Sequence, residues 1–192
     1  MRIISGTHKG RAFNPPGNLP VRPTTDFAKQ ALFNILANKV DISELKVLDL
    51  FCGTGSISYE FASRGCTDIT AVDKNADCTA YVKKAAAEFK FENIKVIKSE
   101  VSTFINHCNE QFDLIFADPP YEMRETPSVV ELILEKKILK PEGFLILEHS
   151  DELSFEQFPS FLEQRNYSRV NFSFFDPSPP DSYRDLPKGE RE

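Results

Sequence analysis

The sequence predicts an α/β protein built on a mostly parallel, doubly wound sheet with a small N-terminal extension. Three observations carry that expectation. From Lys46 onward, short apolar runs of strand length alternate with amphipathic stretches of helical period. Two loops rich in glycine or proline follow such runs directly, where the carboxyl ends of strands in a doubly wound sheet open to ligands. The 192 residues, 41% of them hydrophobic, suit one domain with a substantial apolar core.

The elements follow in order. Arg2-Ile3-Ile4 and Gly10-Arg11-Ala12-Phe13 read as short extended pieces around a glycine-containing turn, and Pro15-Pro16-Gly17 breaks the chain. Asp26 caps a helix whose apolar positions Phe27, Ala31, Leu32, Ile35 and Leu36 keep the 3.6-residue period. Val47 to Phe51 is a buried strand, followed by a glycine-containing loop and a helix ending near Gly65. Ile69 to Asp73 is the second strand, Asn75 to Phe89 the next helix, and Ile94 to Ile97 the third strand. A short helix around Phe104 and Ile105 leads to the fourth strand, Phe112 to Ala117. Val129 to Leu139 reads as helix, Pro141-Glu142-Gly143 as a turn, and Phe144 to Leu147 as the fifth strand. A helix from Phe155 to Gln164 precedes an alternating run from Val170 to Phe175. The organisation expected is an extension over 1–25, the α/β domain over 26–175 and a polar, proline-rich tail over 176–192.

Charge is unevenly spread. The chain carries 23 basic and 29 acidic residues, a formal net charge of −6. Residues 1–40 nevertheless hold six basic side chains (Arg2, Lys9, Arg11, Arg22, Lys29 and Lys39) against the single acid Asp26. That asymmetry points to an anionic contact at the N-terminus of an otherwise acidic protein. Cys52, Cys66, Cys78 and Cys108 form no C-x-x-C pair and His8, His107 and His149 are scattered, which argues against a zinc site. The opening residues contain no hydrophobic core of a signal peptide, and no apolar run approaches the roughly 20 residues of a membrane span. A monomeric cytoplasmic protein with reduced thiols, without metal or membrane, is expected.

Chemistry concentrates in the two loops. In Asp49-Leu50-Phe51-Cys52-Gly53-Thr54-Gly55 two glycines let the backbone approach a ligand and offer it N–H groups. This is not G-x-G-x-x-G, because Ser58 occupies the third glycine position. Asp73 ends the next strand, where a carboxylate can grip two ribose hydroxyls. Together they indicate a nucleoside-bearing cofactor; the plainer alternative is a tight turn and a helix-capping aspartate. In Asp118-Pro119-Pro120-Tyr121 two prolines stiffen the exit of the fourth strand. There the Asp118 carboxylate and the Pro119 carbonyl can each accept a proton from a planar –NH₂ group, with Tyr121 stacked on its ring. The alternative is an ordinary proline-rich turn with Tyr121 in the core. Cys52 has no evident base partner and reads as packing.

These two loops resemble those of class I S-adenosylmethionine-dependent methyltransferases that act on amino groups, a Rossmann-like fold. The opening narrows the resemblance. Met1 to Gly6, Gly10-Arg11, Arg22-Pro23-Thr24-Thr25-Asp26 and Leu32-Phe33-Asn34 are similar to the bacterial small-subunit (16S) ribosomal RNA guanine-N2 methyltransferases, the RsmD family, over about residues 1–175. Glu100 departs from the family's usual aspartate, and the tail has no counterpart. The resemblance implies that Asp49, Phe51, Cys52, Gly53, Thr54 and Gly55 hold the methionine part of S-adenosyl-L-methionine. It places Asp73, with Lys74 beside it, on the ribose and Glu100 with Val101 on the adenine edge. Asp118, Pro119, Pro120 and Tyr121 become the catalytic set. Arg22 and Thr24 line the mouth of the site, Arg22 pairing with either the methionine carboxylate or an RNA phosphate, and His8, Lys9, Arg11 and Lys29 contact phosphates.

The implied substrate is a guanine of small-subunit rRNA, naked or in a ribosomal particle, either flipped out or presented in a loop. Three other readings are kept open. One is an adenine-N6 methyltransferase on DNA or RNA, since D-P-P-Y suits any planar amine. Another is a nucleotide-binding regulator or dehydrogenase, against which the missing third glycine speaks. The last is a catalytically silent RNA-binding assembly protein.

Overall fold

The computed structural model describes residues 1–17, 19, 25–120, 123, 125–167 and 170–178. The elements run α1 (Asp26–Lys39), a 3₁₀ turn (Ile42–Glu44), β1 (Lys46–Leu50), α2 (Ser56–Ser63), β2 (Asp68–Asp73), α3 (Ala76–Phe89), β3 (Ile94–Lys98), α4 (Val101–His107), β4 (Phe112–Ala117), α5 (Thr126–Glu135), β5 (Leu139–His149), β6 (Phe161–Tyr167) and β7 (Val170–Phe175). Seven strands form one sheet in the order β3-β2-β1-β4-β5-β7-β6. The first five are mutually parallel, and β7 enters antiparallel between β5 and β6. The mostly parallel sheet expected from the alternating pattern is therefore present, and the order reverses between β1 and β4, where such sheets open a ligand crevice.

Strand alternation divides the core into two. Val47, Ile69, Ala71, Leu114, Phe116 and Ile146 pack on the side that buries α1, α2 and α3. Leu48, Leu50, Ile115, Ala117, Leu145 and Leu147 pack on the opposite side with α4 and α5.

Several boundaries differ from the sequence reading. Thr25, not Asp26, caps α1: its side chain accepts from the Ala28 N–H, and Asp26 occupies the first turn. The helix expected over Val129 to Leu139 starts at Thr126 and stops at Glu135, with Lys137 at φ 52° turning the chain into β5. Pro141-Glu142-Gly143 is not a turn but lies within β5, beside a register shift against β4. A Cβ on Gly143 would stand 2.8 Å from the Asp113 carbonyl oxygen, so only glycine admits so close an approach there.

The helix expected from Phe155 to Gln164 is absent. Residues 156–160 form turns and a bend, and Phe161–Tyr167 is the edge strand β6. The spacing of Phe155, Phe158 and Phe161 imitates a helical face, but the three rings converge on Phe175 of β7. Pairing with β7 overrides the local period.

The extended pieces at the N-terminus do pair, through an antiparallel bridge between Arg2 and Ala12. This hairpin is fastened to α2. Glu60 accepts from the Ile4 and Ser5 N–H groups (2.8 and 3.0 Å), and the Ser63 carbonyl accepts from Thr7 N–H (2.7 Å). Gly6 sits at φ +81°, and a Cβ there would lie 1.8 Å from the Ser63 carbonyl oxygen.

Candidate active site

Parallel pairing and alternation bring four carboxylates to one rim. Asp49 lies beside Ala71 and Phe116 in register, and Ala117 lies beside Leu147. Asp49 of β1, Asp73 of β2, Asp118 just after β4 and Glu148 of β5 therefore lie on the same face of the sheet toward its carboxyl edge. Asp49 and Glu148 are buried, Asp73 nearly so, and Asp118 is half-buried. Glu148 escaped the sequence reading. Its signal was an acid closing an apolar run, as Asp73 does, but only the β4–β5 register sets it beside Asp118.

The first loop wraps around this rim. Phe51, Gly53 and Gly55 all have positive φ (60°, 51° and 79°). For the phenylalanine that conformation costs about 1–2 kcal/mol, a strain concentrated in the loop between β1 and α2. The loop is closed by Gly55 N–H to the Cys52 carbonyl (2.7 Å) and tied to β2 by Cys52 N–H to the Val72 carbonyl (3.0 Å). Asp73 accepts from the Gly53 N–H (2.9 Å) and from the Asn75 N–H (2.8 Å), which fixes the loop, the carboxylate and the start of α3 together. Ser99 N–H donates to the Asp73 carbonyl, bringing the exit of β3 alongside. There Glu100 immediately precedes α4 and forms an exposed ion pair with Lys74 at 3.6 Å, while Val101 is buried in the first turn.

Electrostatics at the rim raise the proton affinity of Asp49 and Asp118. Burial, reinforced by Asp73, pushes the Asp49 carboxyl up to about 7 against the hydrogen bonds it receives from Ser58. Burial, then the nearby Glu148 and Asp49, holds the Asp118 carboxyl well above the usual carboxylate range. Burial, then Asp49 and Asp73, raise the Cys52 thiol and disfavour its thiolate, and the side chain packs in the core. His149 is buried beside Glu148 in sequence but on the opposite face, bonded to Ser173 and to the Ser150 carbonyl.

The exit of β4 is held by Asp118 N–H to the Leu50 carbonyl at 3.3 Å. Pro119 is buried, Pro120 is exposed, and the Pro120 carbonyl accepts from Met123 N–H. Tyr121, Arg22 and Thr24 lie outside the described residues.

The expected phosphate contacts divide. Lys9 and Arg11 are exposed on the hairpin, Arg11 over the Phe89 ring at 5.3 Å, and His8 packs against Phe91 at 4.5 Å. They stand near Ser63, at the far end of α2 from Gly55, about 12 Å along that helix. Lys29 corrects the expectation. It is fully buried, donates to the Arg2 carbonyl (2.7 Å) and Ser56 Oγ (3.1 Å), and stands 4.0 Å from Glu60. Its ammonium pins the hairpin to α1 and α2 and cannot reach a phosphate. Among the described residues no cluster of three His, Cys, Asp or Glu is arranged to hold a metal ion, and no helix is long and apolar enough to cross a membrane.

The sheet order, the strained glycine loop and the carboxylates on one rim define the class: a Rossmann-like class I methyltransferase. A solved Escherichia coli structure, provisionally titled a methyltransferase, superposes with a TM-score of 0.81 over 91% of this chain and 96% of its own at 24% identity, which bears on the fold alone. The model of the family described as conserved hypothetical protein 95 matches residues 1–176, and the chain belongs to that family. Its relatives include the ribosomal RNA small subunit methyltransferase D of Haemophilus influenzae, 31% identical over 77% of this chain and 78% of that protein. The Escherichia coli K12 protein of the same name is 28% identical over 79% of this chain and 76% of its own length.

Proposed function

We propose that this methyltransferase transfers the methyl group of S-adenosyl-L-methionine to the exocyclic N2 amine of a guanine in small-subunit rRNA. The observation that carries the reading is Asp118 with Pro119 at the stiffened exit of β4, on the same rim as the Asp49–Gly55 loop and Asp73.

The residues present suit the cofactor. Asp73 accepts two backbone N–H bonds, which leaves about two of its four acceptor positions for a ribose diol. Asp49 offers a carboxylate to a cationic amino group, and Glu100 and Val101 stand at the exit of β3 for the adenine edge. Bound there, S-adenosylmethionine supplies an electrophilic methyl on a sulfonium.

The chain's own residues do the rest. The guanine amine is a poor nucleophile because its lone pair is delocalised into the ring. The Asp118 carboxylate and the Pro119 carbonyl accept its two N–H groups, biasing the nitrogen toward sp³ geometry and aiming its lone pair along the line of attack. Positioning of this kind contributes up to about 7–11 kcal/mol. Once methylated, the nitrogen releases a proton that the ionised form of Asp118 takes up; the neutral acid that the ligand-free rim favours cannot take it, so transfer needs the ionised form. Tyr121 stacks on the flipped base, and Lys9 and Arg11 contact phosphates at a distance from it. Residues 1–25 serve as an RNA-contacting extension, 26–175 as the catalytic domain of a cytoplasmic monomer, and 176–192 as a tail.

The test is transfer from labelled S-adenosylmethionine to small ribosomal subunits, and to naked rRNA, lacking guanine methylation, with digested nucleosides identified by mass. Label in N2-methylguanosine that is lost in Asp118→Ala is the expected result. Label in methyladenosine overturns the substrate. No label on either RNA form despite cofactor binding overturns the activity.

A further inference from the structure

Ser58 stands where a three-glycine loop would carry its last glycine, and the reaction outlined above leaves it without a task. Its hydroxyl donates to Asp49 Oδ2 at 2.5 Å, across nine residues of sequence. Both side chains are buried, Ser58 at 0% and Asp49 at 1% exposure, so water does not compete for either. Ser58 is the third residue of α2, which places the Asp49 carboxylate at the helix's N-terminal turn, where the backbone N–H groups favour an anion. Gly55, the cap of α2, provides no side chain to meet those groups.

We propose that Ser58 is a positioning residue for the cofactor: its hydroxyl holds the Asp49 carboxylate in one orientation and in its charged form, so that the loop presents an anion to the cationic amino group of the methionine part. The inference rests on the cofactor reading given under Proposed function. A glycine at this position would remove the hydroxyl donor that the carboxylate now has.

The groups facing Asp49 are Ser58 and Tyr59 from α2, Cys52 from the loop, Asp73 at the end of β2 and Asp118 after β4. Of these, Ser58 alone stabilises the charged carboxylate, through its hydroxyl and its backbone N–H, while burial and Asp73 oppose it. The balance leaves Asp49 titrating at about 7, so the loss of one donor moves its charge through the neutral range. Affinity for a cationic ligand then falls as pH drops below the Asp49 midpoint.

The experiment measures S-adenosylhomocysteine affinity of the full-length chain by calorimetry from pH 6 to 9. Wild type is compared with Ser58→Ala, with Ser58→Cys, whose thiol is a weaker donor, and with Asp49→Asn. The expected result is a wild-type midpoint near pH 7 that moves up by about one unit in Ser58→Ala. That is an affinity loss of about fivefold at pH 7 which closes to within about twofold at pH 9. Ser58→Cys lies between, and Asp49→Asn shows no midpoint in this range. A loss equal at every pH marks Ser58 as packing only and overturns the inference, as does an unchanged profile. Should Ser58→Ala not fold, the shift or its absence in Ser58→Cys decides. Failure of wild type itself to bind S-adenosylhomocysteine overturns the cofactor reading instead.

Discussion

Asp49 is inexpensive to keep only while it is neutral or paired. Folded, its carboxyl holds a proton to about pH 7; unfolded, it loses it near 3.8. The folded state therefore binds more protons between those values, and the contribution of Asp49 to stability falls as pH rises from about 4 to 7, then levels off. Asp49→Asn keeps an acceptor for Ser58 without a buried charge. In the ligand-free protein it should melt at a higher temperature than wild type at pH 8 and at nearly the same temperature at pH 4, while losing cofactor affinity. Melting curves at the two pH values check this. Under the proposed function Asp118 faces the methyl acceptor rather than the cofactor. Asp118→Ala should lower kcat by about a hundredfold or more while leaving the affinity for S-adenosylhomocysteine within a few-fold, as single-turnover assays and calorimetry would register. At this scale the sequence made Asp49, Asp73 and Asp118 legible, because each ends or sits in an apolar run beside a loop of special backbone. Glu148 and the bond between Ser58 and Asp49 were not legible, since a register and a helix–strand contact create them.

The N-terminal hairpin owes its position to a buried polar knot on α2. Glu60 accepts from two hairpin N–H groups and from Arg64 Nε at 2.9 Å, with Lys29 nearby. Burial holds the Lys29 ammonium below its usual range, and the attraction of Glu60 opposes that. The two partners are unequal. Glu60→Ala strands a buried ammonium and two N–H groups, a loss expected to reach about 3–5 kcal/mol by denaturant unfolding, with earlier tryptic cleavage after Lys9 and Arg11. Lys29→Met should cost clearly less, because Glu60 keeps Arg64 and both N–H donors. An equal loss in the two variants would sink this ordering. The sequence showed the extended pieces and their turn, yet it read Lys29 as a surface cation, because a lysine on an amphipathic helix carries no mark of being buried. The same limit misplaced residues 155–164: the phenylalanine spacing imitates a helix, and only the neighbouring β7 decides for a strand.

Across the whole molecule, the basic N-terminus rides on an acidic body, and the exposed cations of the hairpin stand some way from the rim where transfer would occur. Under the proposed function, an RNA held at both places has its phosphates neutralised at the hairpin and its reacting base at the rim. Lys9→Ala and Arg11→Ala should each reduce the salt dependence of RNA binding by about one in log–log slope, and Lys29→Met should leave it unchanged. Titrations of RNA binding over a range of salt concentrations measure both. By itself the sequence determined the alternation of strands and helices, the parallel sheet and the two loops, because period and turn chemistry are local properties of the chain. It also carried the family, through short motifs that survive in order. The tertiary structure decided which carboxylates share a rim, that Lys29 is buried, that Ser58 holds Asp49, and that β6 is a strand. Each of these depends on which residues become neighbours across the sheet and on how much water is left beside them, and neither is written in a local stretch of sequence.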